Sequence, residues 1–250
     1  MHYSRLFLNR QSRAVKRDLA DPFQMHRTVM SAFPQLTERE RQDPESGSIL
    51  WRVDHDQRSE VTMLIVQSEL APNWKPLLDR QPEYVAAPLG SDLPSLDAKE
   101  RRLTFAVGQL LSFRLRANPT KKVKVDGRKN GRRLGLTTEE DQRAWLQRKA
   151  NDEKLPSGFR LRTVVVIPEE QPELRASRKH KTEPVEDSPS SSTTGVATAV
   201  EVAPKMTHLA VRFEGVLQVV DPVAFQQTLR CGIGSAKGFG FGLLSIARCE

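Results

Sequence analysis

Apolar side chains recur along this chain at two spacings, one typical of strands and one typical of helices. Runs that are rich in β-branched residues or alternate with polar ones predict eight strands, over residues 3–8, 49–53, 61–67, 110–117, 159–167, 207–213, 215–220 and 243–247. The alternation is clearest in residues 110–117, where Leu111, Phe113 and Leu115 share one face. Residues 72–94 hold several prolines and are predicted to form an irregular covering segment.

Helix starts are marked by a capping signal that occurs twice. Asp21-Pro22 and Asp221-Pro222 each place a capping carboxylate before a proline at the first helical position. A short basic helix is predicted over residues 12–19, and a further helix begins after Thr138 and ends near residue 151.

The order of strands and helices is similar in the two halves of the chain. It predicts an α+β protein with two tandem ferredoxin-like (βαββαβ, RRM-like) domains, each with an antiparallel sheet. We place the first domain at residues 1–118, closed by the strand over 110–117, and the second at residues 119–250. Residues 182–204 are rich in Pro, Ser and Thr and predict a flexible linker, because they cannot bury enough apolar surface to order themselves.

The helix that begins after Asp21 carries a histidine in phase with apolar residues. Phe23, His26, Met30 and Phe33 follow the spacing of a single helix face. One interpretation is a buried histidine satisfied by a backbone carbonyl. The other is a histidine at the rim of the core with a pKa near neutrality, ready to move protons.

Five of the chain's 14 glycines fall in the glycine loop, which we define as residues 231–242. A dinucleotide fingerprint is excluded because a helix precedes the loop and a strand follows it, and a Walker motif because Lys237 is followed by Gly238. Two interpretations are left: a tight structural turn, and a bend whose backbone approaches a phosphate or ribose closely.

Charge and composition narrow the class of partner. The 250 residues carry a net charge of +8, which favours a polyanion, and nucleic acid over a membrane. The first residues contain no apolar leader and no window approaches 18 apolar residues, so we expect a cytoplasmic chain with no membrane contact. The two cysteines and five histidines lie at no metal-ligand spacing, so no metal and no cofactor are expected.

Basic residues concentrate in two segments. The first, over residues 121–133, contains Arg128, Lys129, Arg132 and Arg133 and surrounds an Asp126-Gly127 pair that could turn a hairpin. This first segment is either a solvated loop or a phosphate-contacting surface. The second segment contains Arg175, Arg178, Lys179 and Lys181.

Short motifs distributed along nearly the whole chain resemble one known family. The chain is similar to CasE, the type I-E CRISPR repeat-RNA endoribonuclease of the RAMP superfamily and a subunit of the Cascade complex. The residues that carry the resemblance are Ser12-Arg13-Ala14, Arg17-Asp18-Leu19, Met25-His26-Arg27-Thr28, Phe113 through Pro119, Phe213-Glu214-Gly215, and Val220-Asp221-Pro222 leading into the glycine loop.

The resemblance implies a pair of ferredoxin-like domains and metal-independent cleavage at the 3′ base of a CRISPR repeat hairpin. The RNA's own 2′-hydroxyl attacks the adjacent phosphorus and leaves a 2′,3′-cyclic phosphate, and the enzyme stays bound to the mature guide RNA. His26 matches the family's catalytic histidine. The resemblance further implies a monomer when free, with the repeat RNA and other Cascade subunits as partners. The expected RNA-contacting positions are Arg27, Arg128, Lys129, Arg132, Arg133, Arg175, Arg178, Lys179, Lys181, Gly234, Gly238 and Gly240.

One position departs from the family pattern. The family often has a tyrosine one helical turn before the histidine, where this chain has Phe23. Phenylalanine cannot hydrogen-bond the 2′-oxygen or the phosphate, so either His26 works alone or Tyr3 or Lys237 substitutes for the missing hydroxyl. The alternative is an RNA-binding structural subunit of the same complex without useful activity.

Overall fold

The first sheet is built from the N-terminal part of the chain. A computed structural model of the protein describes residues 1–35, 37, 48–124, 132–151, 156–176 and 206–249. The first sheet has the strand order β2-β3-β1-β4, with each neighbouring pair antiparallel. Its elements are β1 (His2–Phe7), α1 (Arg13–Ala20), α2 (Pro22–Met30), β2 (Ile49–Asp56), β3 (Val61–Ser68), α3 (Lys75–Arg80), a 3₁₀ turn (Pro82–Tyr84) and β4 (Leu96–Glu100).

The second sheet repeats this plan with one inserted ribbon. Its strand order is β10-β5-β9-β8, again antiparallel throughout, and β6 pairs with β7 outside it. The elements are β5 (Leu110–Ala117), β6 (Thr120–Val123), β7 (Arg132–Gly135), α4 (Glu139–Ala150), β8 (Phe159–Ala176), β9 (Met206–Val219), α5 (Pro222–Cys231), a 3₁₀ turn (Lys237–Phe239) and β10 (Leu244–Arg248).

Both sheets have the strand order of a ferredoxin-like domain. Numbered within its own half, each sheet reads fourth, first, third, second strand, with helices after the first and third strands. The prediction of two tandem ferredoxin-like domains is therefore confirmed. No helix in the described part of the chain is both long and apolar enough to cross a membrane.

The two Asp-Pro signals begin α2 and α5 as predicted. Asp21 Oδ1 accepts a hydrogen bond of 2.9 Å from the Phe23 N–H. Asp221 Oδ1 accepts bonds of 2.9 and 3.1 Å from the N–H groups of Val223 and Ala224. These bonds satisfy amide groups that have no partner within the helix, which is why both helices begin at the proline.

The strand Leu110–Ala117 belongs to the second sheet, which corrects its assignment to the first half. It pairs with β9 on one side and β10 on the other, and so serves as the first strand of the second βαββαβ unit. Alternation identified the strand, but its partners are fixed by long-range packing. We propose that the boundary between the domains lies between β4 and β5 and not after residue 118.

The predicted hairpin over residues 207–220 is wrong. Residues 206–219 form one continuous strand, and Gly215 pairs with Val164 on one side and Phe113 on the other. A Cβ at this glycine would lie 2.1 Å from the Thr163 carbonyl oxygen, beside a register shift between β8 and β9. Gly215 therefore accommodates a close strand, not a turn.

Residues 72–94 contain the helix α3 and a 3₁₀ turn, so they are more regular than expected. The linker over residues 182–204 and the Asp126-Gly127 turn lie outside the described residues.

A buried carboxylate joins α1, α2 and the 3₁₀ turn at Tyr84. The Asp18 side chain has 0% exposure and accepts hydrogen bonds from Thr28 Oγ1 at 2.6 Å and the Tyr84 hydroxyl at 2.8 Å. Arg17 pairs with its other oxygen at 2.7 Å. Since Thr28 lies on the helix that carries His26, this network fixes the rotation of α2.

Replacing Asp18 with alanine should destabilise the first domain by roughly 2–4 kcal/mol, because two buried hydroxyl groups lose their acceptor. The shift of the urea midpoint measures this effect. Asp79→Ala is the matched control, since its carboxylate pairs with Lys75 at an exposed i,i+4 position and should change stability by less than about 0.5 kcal/mol. Equal shifts for the two variants would contradict the proposed role of Asp18.

Candidate active site

His26 lies at the rim of the first domain's core. Met25 and Val29, at 1% and 0% exposure, form the buried stripe of α2, whereas Phe23 and His26 are half-buried beside it. The buried face of α2 is therefore offset by about one residue from the predicted face, because the helix packs on the sheet through Met25. This placement matches the second of the two interpretations of His26, a histidine at the rim of the core.

The imidazole of His26 packs against the glycine loop. A Cβ placed on Gly238 would lie 3.6 Å from both Cε1 and Nδ1 of His26. The ring thus lies over the backbone of the 3₁₀ turn Lys237–Phe239, which packs against α2. The structure therefore brings together residues that are more than 200 positions apart in the sequence.

Lys237 is next to this contact in the chain and is half-buried. Burial lowers the pKa of its ammonium group, and the positive charge of Lys149 lowers it further, while Cys231 opposes the shift. The amine therefore releases a proton more readily than a solvated lysine. Of the two suggested substitutes for the missing hydroxyl, Lys237 is the one whose chain neighbour, Gly238, lies against His26.

Tyr3 is not brought to His26. Along β1, Ser4 and Leu6 face the helices, so Tyr3 points to the opposite face of the sheet. Burial raises the pKa of its phenol, and the negative charge of Glu69 adds to the shift, so the hydroxyl stays protonated. The suggestion that Tyr3 replaces the missing hydroxyl is therefore not supported by its position.

Packing against tryptophan rings explains why glycine occupies positions 234 and 240. Gly240 has φ +81°, and a Cβ there would lie 2.7 Å from Cζ3 of Trp51. Gly234 has φ +92°, and its Cβ would lie 3.1 Å from the ring of Trp145. The structural-turn interpretation of the loop thus holds at both positions, and contact of Gly234, Gly238 and Gly240 with RNA stays a prediction.

His208 supports the 3₁₀ turn from the second sheet, and the sequence analysis missed it. Its ring stacks on Phe239 with centroids 5.0 Å apart and an interplanar angle of 30°. Asn118 Oδ1 accepts from the Leu209 N–H at 3.2 Å, which leaves Asn118 Nδ2 to donate to His208 Nδ1 at 3.1 Å. His208 therefore carries its proton on Nε2, and burial lowers its pKa.

A charged cleft of about 1340 Å³ lies between the two sheets and borders α2 and Phe239. Five arginines and five carboxylates line it, so its charges balance. Sequence reasoning could not find this cleft, because its walls come from distant strands. The pairs, each at 2.7 Å, are Arg52–Asp54, Arg114–Glu214 and Arg116–Glu169.

The predicted RNA-contacting positions are only partly described. Arg27 is exposed on α2 beside His26, and Arg132 and Arg133 are exposed on β7. The backbone of Arg175 pairs with Thr207 in the β8–β9 ladder. Arg128, Lys129, Arg178, Lys179 and Lys181 lie outside the described residues. Across the described ranges, no three His, Cys, Asp or Glu side chains are grouped so that they could hold a metal ion.

Comparison with known proteins identifies the family. A model of the family described as CRISPR associated protein matches residues 1–248. The CRISPR-associated endoribonuclease Cse3 of Thermus thermophilus is 34% identical over 250 residues, which cover 99% of this chain and 100% of the relative. The chain belongs to the CasE/Cse3 family.

A second relative and a solved structure of Cse3 extend the likeness. The Cascade subunit CasE of Escherichia coli K12 is 27% identical over 94% of this chain and 95% of its own length. A solved structure of the endoribonuclease Cse3 bound to a 19-nucleotide RNA matches with a TM-score of 0.72 and 31% identity, covering 99% of this chain and 100% of that one. The likeness therefore spans both domains and the loop between α5 and β10.

Stability should depend on pH through His208. Its folded pKa lies below the unfolded value, so its stabilising contribution is complete above the unfolded pKa and is lost as pH falls through the folded pKa. We expect the wild-type Tm to fall more steeply from pH 8 to pH 5 than that of His208→Phe, which keeps a ring against Phe239 but cannot titrate. Parallel Tm curves for the two proteins would contradict this assignment.

Proposed function

We propose that this CasE/Cse3 family member is a metal-independent endoribonuclease that cleaves precursor CRISPR RNA at the 3′ base of the repeat hairpin. The observation that carries the proposal is the packing of His26 on Gly238, next to Lys237. The names of the relatives, an endoribonuclease and a Cascade subunit, support the substrate class and the complex. The enzyme stays bound to the mature guide RNA as a Cascade subunit.

The reaction is an internal transesterification. The 2′-oxygen forms a bond to the adjacent phosphorus and loses its proton, while the bond to the 5′-oxygen breaks and that oxygen gains a proton. The products are a 2′,3′-cyclic phosphate and a 5′-hydroxyl. This chemistry needs a proton acceptor, a proton donor and positive charge near the phosphate.

The described residues can supply these three functions without a metal. His26 lies at the rim of the core, where an imidazole can exchange protons with the RNA. Lys237, with its lowered pKa, can donate a proton to the leaving oxygen or stabilise charge on the phosphate. Phe23 keeps the packing of the family's tyrosine but offers no hydroxyl, so Lys237 takes over the hydrogen bond that is missing.

RNA binding depends on phosphates and on the shape of the hairpin. The deep major groove of an A-form stem is too narrow for ordinary side-chain readout. Arg27 is exposed one residue after His26 and is suited to a phosphate near the scissile bond. The exposed arginines on β7, Arg132 and Arg133, are a second candidate for contact with the phosphates of the stem.

The absence of a hydroxyl at Phe23 favours a second candidate function. In it, the chain binds the hairpin as a structural subunit of Cascade and produces no cleavage. A single-turnover assay with one cognate repeat RNA separates the two functions, because only the first yields a product that ends in a cyclic phosphate.

Replacing His26 with alanine should slow single-turnover cleavage by roughly 10²-fold to 10⁴-fold, because the main proton-transfer group is removed. Hairpin Kd should stay within about 2-fold, since phosphate contacts supply most of the affinity. His2→Ala is a matched histidine control on β1 and should cleave at the wild-type rate. An unchanged rate for the His26 variant would exclude the proposed mechanism.

The source of the nucleophile can be tested with the wild-type protein. A 2′-deoxy nucleotide at the scissile position should abolish cleavage, and EDTA should leave the rate unchanged, because the attacking oxygen comes from the RNA. Cleavage of the deoxy substrate would instead indicate an attacking water molecule.

Phe23→Tyr should raise the single-turnover rate by about 10-fold, because it restores one hydrogen bond near the reacting phosphate. Lys237→Met should lower the rate by roughly 10²-fold. Lys75→Met is the control for loss of an exposed lysine, since Lys75 pairs with Asp79, and it should leave the rate near that of the wild type. If Lys237→Met matched this control, Lys237 would have no part in the reaction.

A further inference from the structure

Three successive residues of β2 contact the glycine loop or the residue that follows it. A Cβ at Gly232 would lie 2.8 Å from Cδ1 of Leu50, and one at Gly240 would lie 2.7 Å from the ring of Trp51. The third residue, Arg52, reaches the carbonyl oxygen of Leu243, which follows the loop directly. Because β2 is an edge strand of the first sheet, the loop of the second domain docks along that edge.

Arg52 is a buried cation whose contacts cross between the domains. Its side chain is 2% exposed. Nε and Nη2 donate to the two oxygens of Asp54 at 2.7 and 2.8 Å. Nη1 donates to the carbonyl oxygens of Arg114 at 3.3 Å and Leu243 at 3.4 Å, both in the second domain. One planar group thus joins β2 to the residue that precedes β10 and to the middle of β5.

The chemistry of this contact requires a guanidinium. Arginine presents donors in a fixed fork, so it can bind a carboxylate with one edge and carbonyl oxygens with another. Lysine would keep the charge beside Asp54, but its single ammonium cannot span the same acceptors. A neutral side chain would leave Asp54 partly buried beside Arg114 alone, at 3.5 Å.

We propose that Arg52 is a positioning residue that sets the placement of the turn Lys237–Phe239 against His26. The inference rests on the proposed function, because it concerns the same site. His26 belongs to the first domain and the turn to the second, so their alignment depends on contacts between the domains. The Arg52 bond to Leu243 lies five residues after the contact of Gly238 with His26 and restrains the loop at that end. A misplacement of about 1 Å at a reacting centre can lower a rate by roughly 10²-fold.

The test is single-turnover cleavage of one repeat hairpin by Arg52→Lys and Arg52→Met, with hairpin Kd measured in parallel below the Tm of each variant. We expect the cleavage rate of Arg52→Lys to fall by about 10²-fold while Kd changes by less than about 3-fold. Arg52→Met should be at least as slow. A general loss of folding would weaken binding as well as slow cleavage. A slower cleavage rate with a nearly unchanged Kd therefore indicates that Arg52 positions the site.

Ser4→Ala is the matched control for a buried bond in the same sheet. It removes the acceptor of the Trp74 Nε1–H, at 2.9 Å, on the helix-covered face and away from the loop. It should lower Tm but leave the cleavage rate at the wild-type value. A wild-type rate for Arg52→Lys, or an equal rate loss in Ser4→Ala, would overturn the positioning role.

Wild type and His26→Ala, measured in the same series, distinguish this inference from the proposed function. If the wild type does not cleave, the proposed function fails. If the wild type cleaves, His26→Ala does not, and Arg52→Lys cleaves normally, only the inference about Arg52 fails. Should Arg52→Met not fold, Arg52→Lys alone decides, because it keeps the charge that pairs with Asp54.

Discussion

The contact of the glycine loop with β2 is the constraint on which the candidate site depends. His26 is carried by the first domain, and Lys237 by the second. Neither domain contains both groups, so the two domains must keep a fixed position relative to each other for the groups to stay close. Trp51 packs on Gly240 from one face of β2, and Arg52 reaches Leu243 from the other. Since successive residues of a strand point to opposite faces, the edge of β2 is held against the loop from both sides.

The rim position of His26 follows from how α2 packs. Met25 and Val29 fill the core, and the Asp18 network fixes the rotation of the helix through Thr28. His26 therefore lies where the buried face of the helix ends and the loop of the other domain begins. An imidazole in this place is shielded by the Gly238 backbone on one side, and its half-exposed state leaves it accessible to a substrate.

Local signals predicted most of the elements, because caps and periodicity are local properties. The Asp21 and Asp221 caps began both helices where expected, and alternation identified β5. Local signals could not predict which sheet a strand joins, since the pairing of β5 with β9 and β10 depends on packing across the second domain. Arg52 illustrates the same limit: an arginine within a predicted strand is ordinarily assigned to solvent, and only the neighbouring domain makes it a buried donor.

The candidate site was likewise predictable only in part: some of its residues could be found in the sequence, but their contacts could not. The histidine and the glycine loop were both visible in the sequence, but their contact was not, because the loop's own pattern does not say which surface it packs on. His208 gave no sequence signal, because a single histidine in a strand has no characteristic spacing. Its role became visible only when Phe239 and Asn118 were found beside it.

The balance of charge in the cleft between the sheets bears on where the RNA lies. Three of the five arginines that line it pair with carboxylates at 2.7 Å, and Arg212 lies 3.5 Å from Glu214. A phosphate entering the cleft would have to displace these carboxylates and would meet their repulsion. The chain's net charge of +8 therefore does not come from this cleft, and one of the cations that contribute to it, Arg27, is exposed on α2. Each of the three pairs at 2.7 Å lies within one domain, and two contacts that cross the cleft are those of Arg52 with the Arg114 carbonyl and of Arg114 with Asp54, at 3.3 and 3.5 Å. These two contacts help to hold the domains together, while the balanced charge of the cleft makes it a poor site for a phosphate.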